Sequence, residues 1–253
     1  MINLRFICPA LMLICTWKLQ AGRPLTVDDA SAISRGQFEL EAGVGYIGDG
    51  PLQHWDFPLS LSMGTGWGLE LGIGTGGQIE EREELASGDD LATGIRDLVL
   101  GAKWNFLAET NTRPALALAF GVKLPTASRE LGLGSGEVDY DLTGIVSKSF
   151  GEQLTAHINV GFSWLGDPPG EEFENVLHYG VAVGYRVREN WEIVGEAFAN
   201  SPISGGAVSA FANFGARWQA RESLVFDFAA GAGLTRNSPE FIATVGLTWT
   251  FNL

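Results

Sequence analysis

The stretch LTAHINVGFSW, residues 154–164, decides the fold. Leu154, Ala156, Ile158, Val160, Phe162 and Trp164 alternate with Thr155, His157, Asn159, Gly161 and Ser163. A helix would wind these two sets around its axis, whereas a strand sends successive side chains to opposite faces, one apolar and one polar. The same sorting sets Leu177, Tyr179, Val181, Val183, Tyr185 and Val187 against His178, Gly180, Ala182, Gly184 and Arg186. It also sets Leu98, Leu100, Ala102, Trp104 and Phe106 against Asp97, Val99, Gly101, Lys103 and Asn105.

Outward from these three, the pattern recurs from residue 36 onward. It predicts twelve strands, over 36–47, 52–63, 66–77, 94–106, 114–124, 137–149, 153–165, 175–187, 190–200, 206–218, 223–235 and 240–252. The connections GTG, FLAETNTR, SFGEQ, VREN and QARE are short and interleave with longer ones such as TGGQIEEREELASGDDLAT, LPTASRELGLGSG and GDPPGEEFEN. An even strand number with short turns on one side and long loops on the other predicts an all-β fold, a closed antiparallel transmembrane β-barrel of the outer-membrane type. Pro114, Pro125, Pro168, Pro169, Pro202 and Pro239 sit at strand ends or in loops, where a missing N–H does least harm. Pro58 falls inside the second strand and is expected to weaken it.

Composition narrows the alternatives. Of 253 residues, 45% are apolar and 18% charged, and 34 are Gly, which excludes disorder, collagen and coiled coil. No run of 18 apolar residues is present, so a helical membrane span is excluded as well. Sixteen basic against 30 acidic residues give a net charge of −14, the wrong sign for a nucleic-acid binder.

The first 21 residues read as a secretory signal: Arg5, an apolar stretch from Phe6 to Trp17, then Ala21 before a polar segment. Residues 22–35 are then a short periplasmic segment and residues 36–253 the barrel. Cys8 and Cys15 both lie in the leader, so the mature chain has no thiol for a disulfide or a metal. Loss of Arg5 and Lys18 leaves 14 basic against 30 acidic residues, a net charge of −16.

Side chains fill a barrel interior well at about eight strands, and twelve with an apolar inside would leave an apolar hollow. The apolar stripe therefore faces lipid, and the other face lines a wet lumen. That inner face carries His54, Asp56, Lys103, Lys123, His157, His178, Glu192, Glu196 and Asp227. Glu39, Glu41, Glu70, Asp97, Asp139, Asp141, Arg186 and Arg217 are predicted to line the path itself. Arg186 and Glu192 are placed to pair across the VREN turn. Such mixed charges either set the selectivity of an open pore or neutralise one another in a narrow lumen, and the sequence leaves both readings open. Trp67, Trp104, Trp191, Trp218 and Trp249 fall beside the short turns, and Tyr46, Trp55 and Trp164 near the long loops, as two interfacial girdles require. The many lumen glycines, Gly43, Gly180 and Gly246 among them, are explained by strand curvature alone.

Three further constellations carry weaker chemistry. The run Glu80, Glu81, Glu83, Glu84, Asp89 and Asp90 is oxygen-rich but lacks a calcium-loop spacing, so a solvated loop explains it. Ser147 faces His157 across the SFGEQ turn, yet no nucleophile elbow accompanies them, and hydrogen bonding in the lumen explains both. His54, His157 and His178 lack a local ligand spacing, so no metal or other cofactor is expected.

GRPLTVDDA, from Gly22 to Ala30, followed by GQFELEAGVGY, from Gly36 to Tyr46, resembles the opening of the meta-pathway phenol-degradation outer-membrane family, whose members are described as transporters. Val27 stands where that opening has a second Thr. The resemblance continues as pattern to the ending LTWTFNL. It implies an outer-membrane barrel that passes small molecules, hydrophobic or aromatic compounds among them, and it brings no catalytic residue. The alternation of Phe241, Ala243, Val245, Leu247, Trp249, Phe251 and Leu253 resembles the assembly signal of bacterial outer-membrane barrels, which implies the barrel assembly machinery as a partner beside outer-membrane lipid and the solute. Arg23 to Ser34 is too short for a hatch domain. Asp28, Asp29 and Ala30 are expected to begin one helical turn, with the segment tucked into the periplasmic mouth or hanging free.

The expected function is therefore a non-enzymatic outer-membrane channel or transporter. A closed structural or surface-interaction barrel is the alternative, and a lipid-modifying barrel enzyme using Ser147 and His157 the weaker one.

Overall fold

The structure, a computed structural model, describes residues 22–81 and 91–252; the leader read over residues 1–21 and the acidic residues Glu83, Glu84, Asp89 and Asp90 lie outside them. The described residues contain no helix. Their strands are β1 (Gln37–Asp49), β2 (Leu52–Gly66), β3 (Leu69–Glu81), β4 (Leu91–Ile95), β5 (Leu98–Leu107), β6 (Ala115–Leu124), β7 (Asp139–Phe150), β8 (Leu154–Trp164), β9 (Val176–Arg188), β10 (Trp191–Pro202), β11 (Ser209–Arg221), β12 (Leu224–Gly233) and β13 (Phe241–Asn252). Each pairs antiparallel with its neighbours, and β1 pairs with both β2 and β13, so the sheet closes on itself. β4 and β5 share one position in the wall: β4 pairs with the upper part of β3 and β5 with its lower part. The barrel therefore has twelve positions.

The predicted fourth strand, 94–106, is divided because Arg96 leaves the ladder. Its N–H reaches the Gly76 carbonyl and its own carbonyl accepts from Thr75 and Thr126. Pro58 has a local effect only. β2 runs through it for 15 residues, while the ladder to β1 skips from the pair Ala42–Leu59 to the pair Gly45–Asp56. Trp67 and Gly68, both at positive φ, close β2 onto β3 in a two-residue turn whose twist suits a tight hairpin.

Alternation sorts the wall as lipid requires. Along β9 the even-numbered residues Val176 to Gly184 are buried, while Leu177, Tyr179, Val181, Val183 and Tyr185 are exposed. Outward aromatics gather at both ends. Trp67, Trp104, Trp191, Trp218 and Trp249 are exposed beside the short turns, and Trp55, Tyr140 and Trp164 beside the long loops. An apolar belt between two aromatic girdles on a closed antiparallel sheet is the outer surface of an outer-membrane barrel.

Candidate functional site: the filled lumen

Residues 22–30 run inside the barrel, deeper than either the periplasmic mouth or the free-hanging position between which the sequence left the segment, and residues 31–36 lead from there to β1. Just before β1 the chain crosses Gly64, with the Gly36 N–H on the Gly64 carbonyl at 2.8 Å. A Cβ at Gly64 would strike the carbonyls of Ile33 and Ser34, so glycine is required for this close passage. The Ile33 N–H donates to Glu70 at 2.9 Å, and the Ala30 N–H to the Ser147 hydroxyl at 2.8 Å. At Asp28 the Asn159 carboxamide acts as a strand partner: its oxygen accepts the Asp28 N–H and its amide donates to the Asp28 carbonyl, each at 2.8 Å. These bonds replace the expected helical turn, because the backbone groups a helix would use are taken by the wall.

The apex is apolar. Leu25 and Val27 pack with Ala182, Val194, Phe198 and Phe211 in the middle of the lumen. Burying a Leu or Val side chain, as at Leu25 and Val27, contributes about 1.5–3 kcal/mol. The Glu196 carboxylate accepts the N–H groups of Thr26 and Val27 at 2.8 and 2.7 Å.

Beyond the apex the segment turns back towards the short-turn end. Arg23 forms a two-pronged pair with Asp227, Nη2 to Oδ1 at 3.2 Å and Nε to Oδ2 at 3.3 Å, and donates to Thr244 at 3.0 Å. The Arg23 and Asp227 side chains are 4% and 1% exposed, so water does not screen this pair. Gly43 and Gly246 make its seat, since a Cβ on either would run into the guanidinium. Arg217 completes the clasp, donating to the carbonyls of Arg23 and Gly22 at 2.6 and 2.7 Å while paired with Glu192 at 2.8 Å.

The residues expected to line the path fall into separate groups. Glu39 and Glu41 lie on the inner face of β1, and Glu41 accepts from Ser60 at 3.3 Å. Glu70 shares Lys103 with Asp28, at 3.4 and 3.3 Å. Asp97 and Asp139 flank Lys123, at 3.6 and 2.6 Å, and bind loop amides, Asp97 the Ala127 N–H and Asp139 the Gly166 N–H. Asp141 accepts from His178 and Ser163, each at 2.7 Å, and from Thr143 at 2.8 Å. Arg217 holds the segment. Arg186 is exposed at the end of β9, and although both Arg186 and Arg217 stand opposite Glu192 in register, the carboxylate pairs with Arg217, whose side chain is turned into the lumen to hold the segment.

Ser147 and His157 do meet, Oγ to Nδ1 at 2.8 Å, but the same Oγ accepts the Ala30 N–H and is covered by it. Among the described residues no cluster of His, Cys, Asp and Glu is set to hold a metal ion. Sequence reasoning missed the holders of the segment, Arg23, Asn159, Thr244 and Asn105, whose amide donates to the Ala30 carbonyl. The available signal was a cation, Arg23, followed closely by Leu25 and Val27 ahead of an acidic barrel.

Beside Asp28 a small, partly open cavity remains, lined by Ser62, Glu70, Lys103, Asp141, Thr143 and three glycines. Those glycines, Gly72, Gly101 and Gly121, form one cross-strand row ending at Asp141. Missing side chains in this row leave the space.

A sequence family described as "Putative MetA-pathway of phenol degradation" matches residues 21–251. No curated protein matches the chain significantly. Among solved structures, an outer membrane channel from Pseudomonas putida F1 superposes with a TM-score of 0.68 at 14% identity, over 90% of this chain and 100% of that one. The NanC porin superposes with a TM-score of 0.60 at 11% identity, over 83% and 98% of the two chains. The KdgM porin superposes with a TM-score of 0.55 at 11% identity, over 85% and 99%. At these identities the likeness is one of fold.

Proposed function

The chain belongs to the family described as "Putative MetA-pathway of phenol degradation", and on that premise we propose that it is an outer-membrane channel for small molecules, closed at rest by residues 22–30 of its own chain. One observation carries this reading. The lumen is occupied by a segment whose backbone is held almost wholly by side chains of the wall, so it can leave without unpairing any strand. Only its Gly36 end is built into β1. Withdrawal towards the periplasm would join the glycine-floored cavity to the rest of the lumen, and the charges left there would set ion preference. The family resemblance suggests hydrophobic or aromatic solutes. A catalytic role for Ser147 has no support while the Ala30 amide covers its oxygen.

A closed structural barrel is favoured by the completeness of the clasp around Arg23. Conductance in planar bilayers separates the two readings. The mature chain is expected to give small or brief currents, and a chain lacking residues 22–30 steady cation-preferring ones, because deletion leaves an acidic wall. Silence from the folded deletion variant would favour the structural barrel.

A further inference from the structure

The seat of Arg23 belongs to the wall, not to the segment that fills it. Asp227 on β12 stands opposite Gly246 on β13, and Gly246 stands opposite Gly43 on β1, so the three form one row across adjacent strands. Thr244 lies two residues from Gly246 on the same face of β13. All four are fixed by strand ladders that do not include residues 22–30. Withdrawal of the segment therefore leaves the seat standing and its carboxylate bare.

The room and the chemistry of that seat are read from its occupant. A guanidinium fits there because Gly43 and Gly246 carry no Cβ to fill the space. Both Asp227 oxygens are engaged, Oδ1 by Nη2 at 3.2 Å and Oδ2 by Nε at 3.3 Å, and Nη2 also donates to Thr244 Oγ1 at 3.0 Å. A planar cation with several N–H groups reaches these three acceptors together, whereas a compact ammonium meets the carboxylate as a point charge. Arg217, opposite Asp227 in register, is already bound to Glu192 at 2.8 Å, so it does not neutralise the emptied seat. A cation that enters from the lumen recovers the pair that Arg23 gives up.

The surroundings bound the rest of such a molecule. Leu25, two residues beyond Arg23, packs with Val194, Phe198 and Phe211, and Ile242, on the same face of β13 as Thr244, packs against that cluster. An apolar surface thus runs from the seat into the middle of the lumen.

We propose that the seat, Asp227 and Thr244 over Gly43 and Gly246, is a binding site for small solutes that carry a guanidinium group on a short apolar body, and that Arg23 closes the channel by standing in for that group. This rests on the channel reading and adds the charge and shape of the head group that the lumen selects. Asp227 repels anionic solutes, and neutral ones leave it unpaired.

The test uses the full chain begun at Gly22 and carrying Arg23→Ala, which empties the seat without altering a strand. Propylguanidinium, propylammonium and propylurea are the probes, titrated calorimetrically in detergent. The second keeps the charge and lacks the fork; the third keeps the planar shape and lacks the charge. Propylguanidinium is expected to bind about tenfold more tightly than propylammonium and about a hundredfold more tightly than propylurea. Adding Asp227→Asn should bring the three affinities together. Should that variant fail to fold, Gly43→Ala decides: the three nearest atoms to a Cβ there all belong to the guanidinium, so the methyl fills the seat without straining the wall. It should weaken propylguanidinium at least tenfold. Equal affinities for the three probes, or propylguanidinium binding that Gly43→Ala leaves unchanged, overturn the proposal. Current through the unaltered chain, with each organic cation as the only cation present, tests the channel separately. Discriminating binding without current leaves the seat and overturns the channel reading, and current with equal binding does the reverse.

Discussion

The two arms of the inserted segment are held by different forces. The arm from Gly22 to Val27 lies against β9–β13 and carries the buried Arg23–Asp227 pair and the apolar anchors Leu25 and Val27. The arm from Asp28 to Gly36 lies against β2–β8 and is held by two Asn159 bonds to the Asp28 backbone, single backbone bonds to Ser147 and Glu70, and the buried Lys103–Asp28 pair at 3.3 Å, with Ala30 as its one fully buried apolar residue. The first arm ends at the mature N-terminus expected from the sequence, and the second is continuous with the wall. The two-pronged ion pair and the apolar anchors thus sit on the end that must leave first. The barrier to opening is concentrated at Arg23, and the second arm acts as a tether.

This contrast can be broken at the pair itself. Arg23→Ala strands Asp227 in a dry lumen, which costs about 3–5 kcal/mol, more than a hundredfold in the ratio of inserted to withdrawn segment. Sustained conductance is the expected outcome, and an unchanged trace would mean that the pair is not the latch. Leu25→Ala removes packing on the same arm and is expected to cost about 2–5 kcal/mol, towards the lower end because the lumen already holds free space. Opening frequency should rise, with single-channel conductance unchanged.

On the tether, Asn159→Leu leaves the Asp28 N–H and carbonyl unsatisfied, a loss of about 1–3 kcal/mol. Hydrogen exchange should quicken at Asp28 and Ala30 while Arg23 stays docked; quickening at Arg23 as well would dissolve the distinction between the arms. The smallest effect lies outside the membrane. In the turn between β5 and β6, Glu109 accepts from Lys148 at 2.8 Å and from the Ser149 N–H at 2.8 Å, and these bonds hold its carboxyl below the usual carboxylate range. A depressed value means that this clasp is fully present at neutral pH and is lost as the pH falls through the acidic range. Glu109→Gln should remove that acid dependence of the turn, seen by exchange at Ser149, without altering the current.

The wall was legible because its information is local. A period of two, repeated from residue 36, needs no knowledge of the partner strand, and β8 and β9 fall where LTAHINVGFSW and its neighbour placed them. The inserted segment was not, because the bonds that anchor it to the wall are distant in sequence: Arg23 reaches Asp227 and Thr244, and Thr26 reaches Glu196. Nine residues with no period cannot announce such partners. The glycines show the same limit. Gly43 and Gly246 look like curvature along the strand, yet they oppose each other across β1 and β13 and admit the Arg23 guanidinium between them. Among the polar wall residues, alternation fixed the face of most, but Glu192 stands in register with Arg186 on one side and Arg217 on the other, and the choice of Arg217 depends on the inserted segment that this side chain also holds.

The central claim, that the lumen is closed by a segment able to leave it, is tested most directly by tying that segment down. Both native cysteines precede residue 22, so a chain begun at Gly22 offers a clean background for a disulfide between Val27→Cys and Ala182→Cys, two positions packed in one cluster. In planar bilayers the oxidised protein is expected to be silent, and the same molecules should open when a reductant is added. Equal currents before and after reduction, with the disulfide verified, would contradict the account.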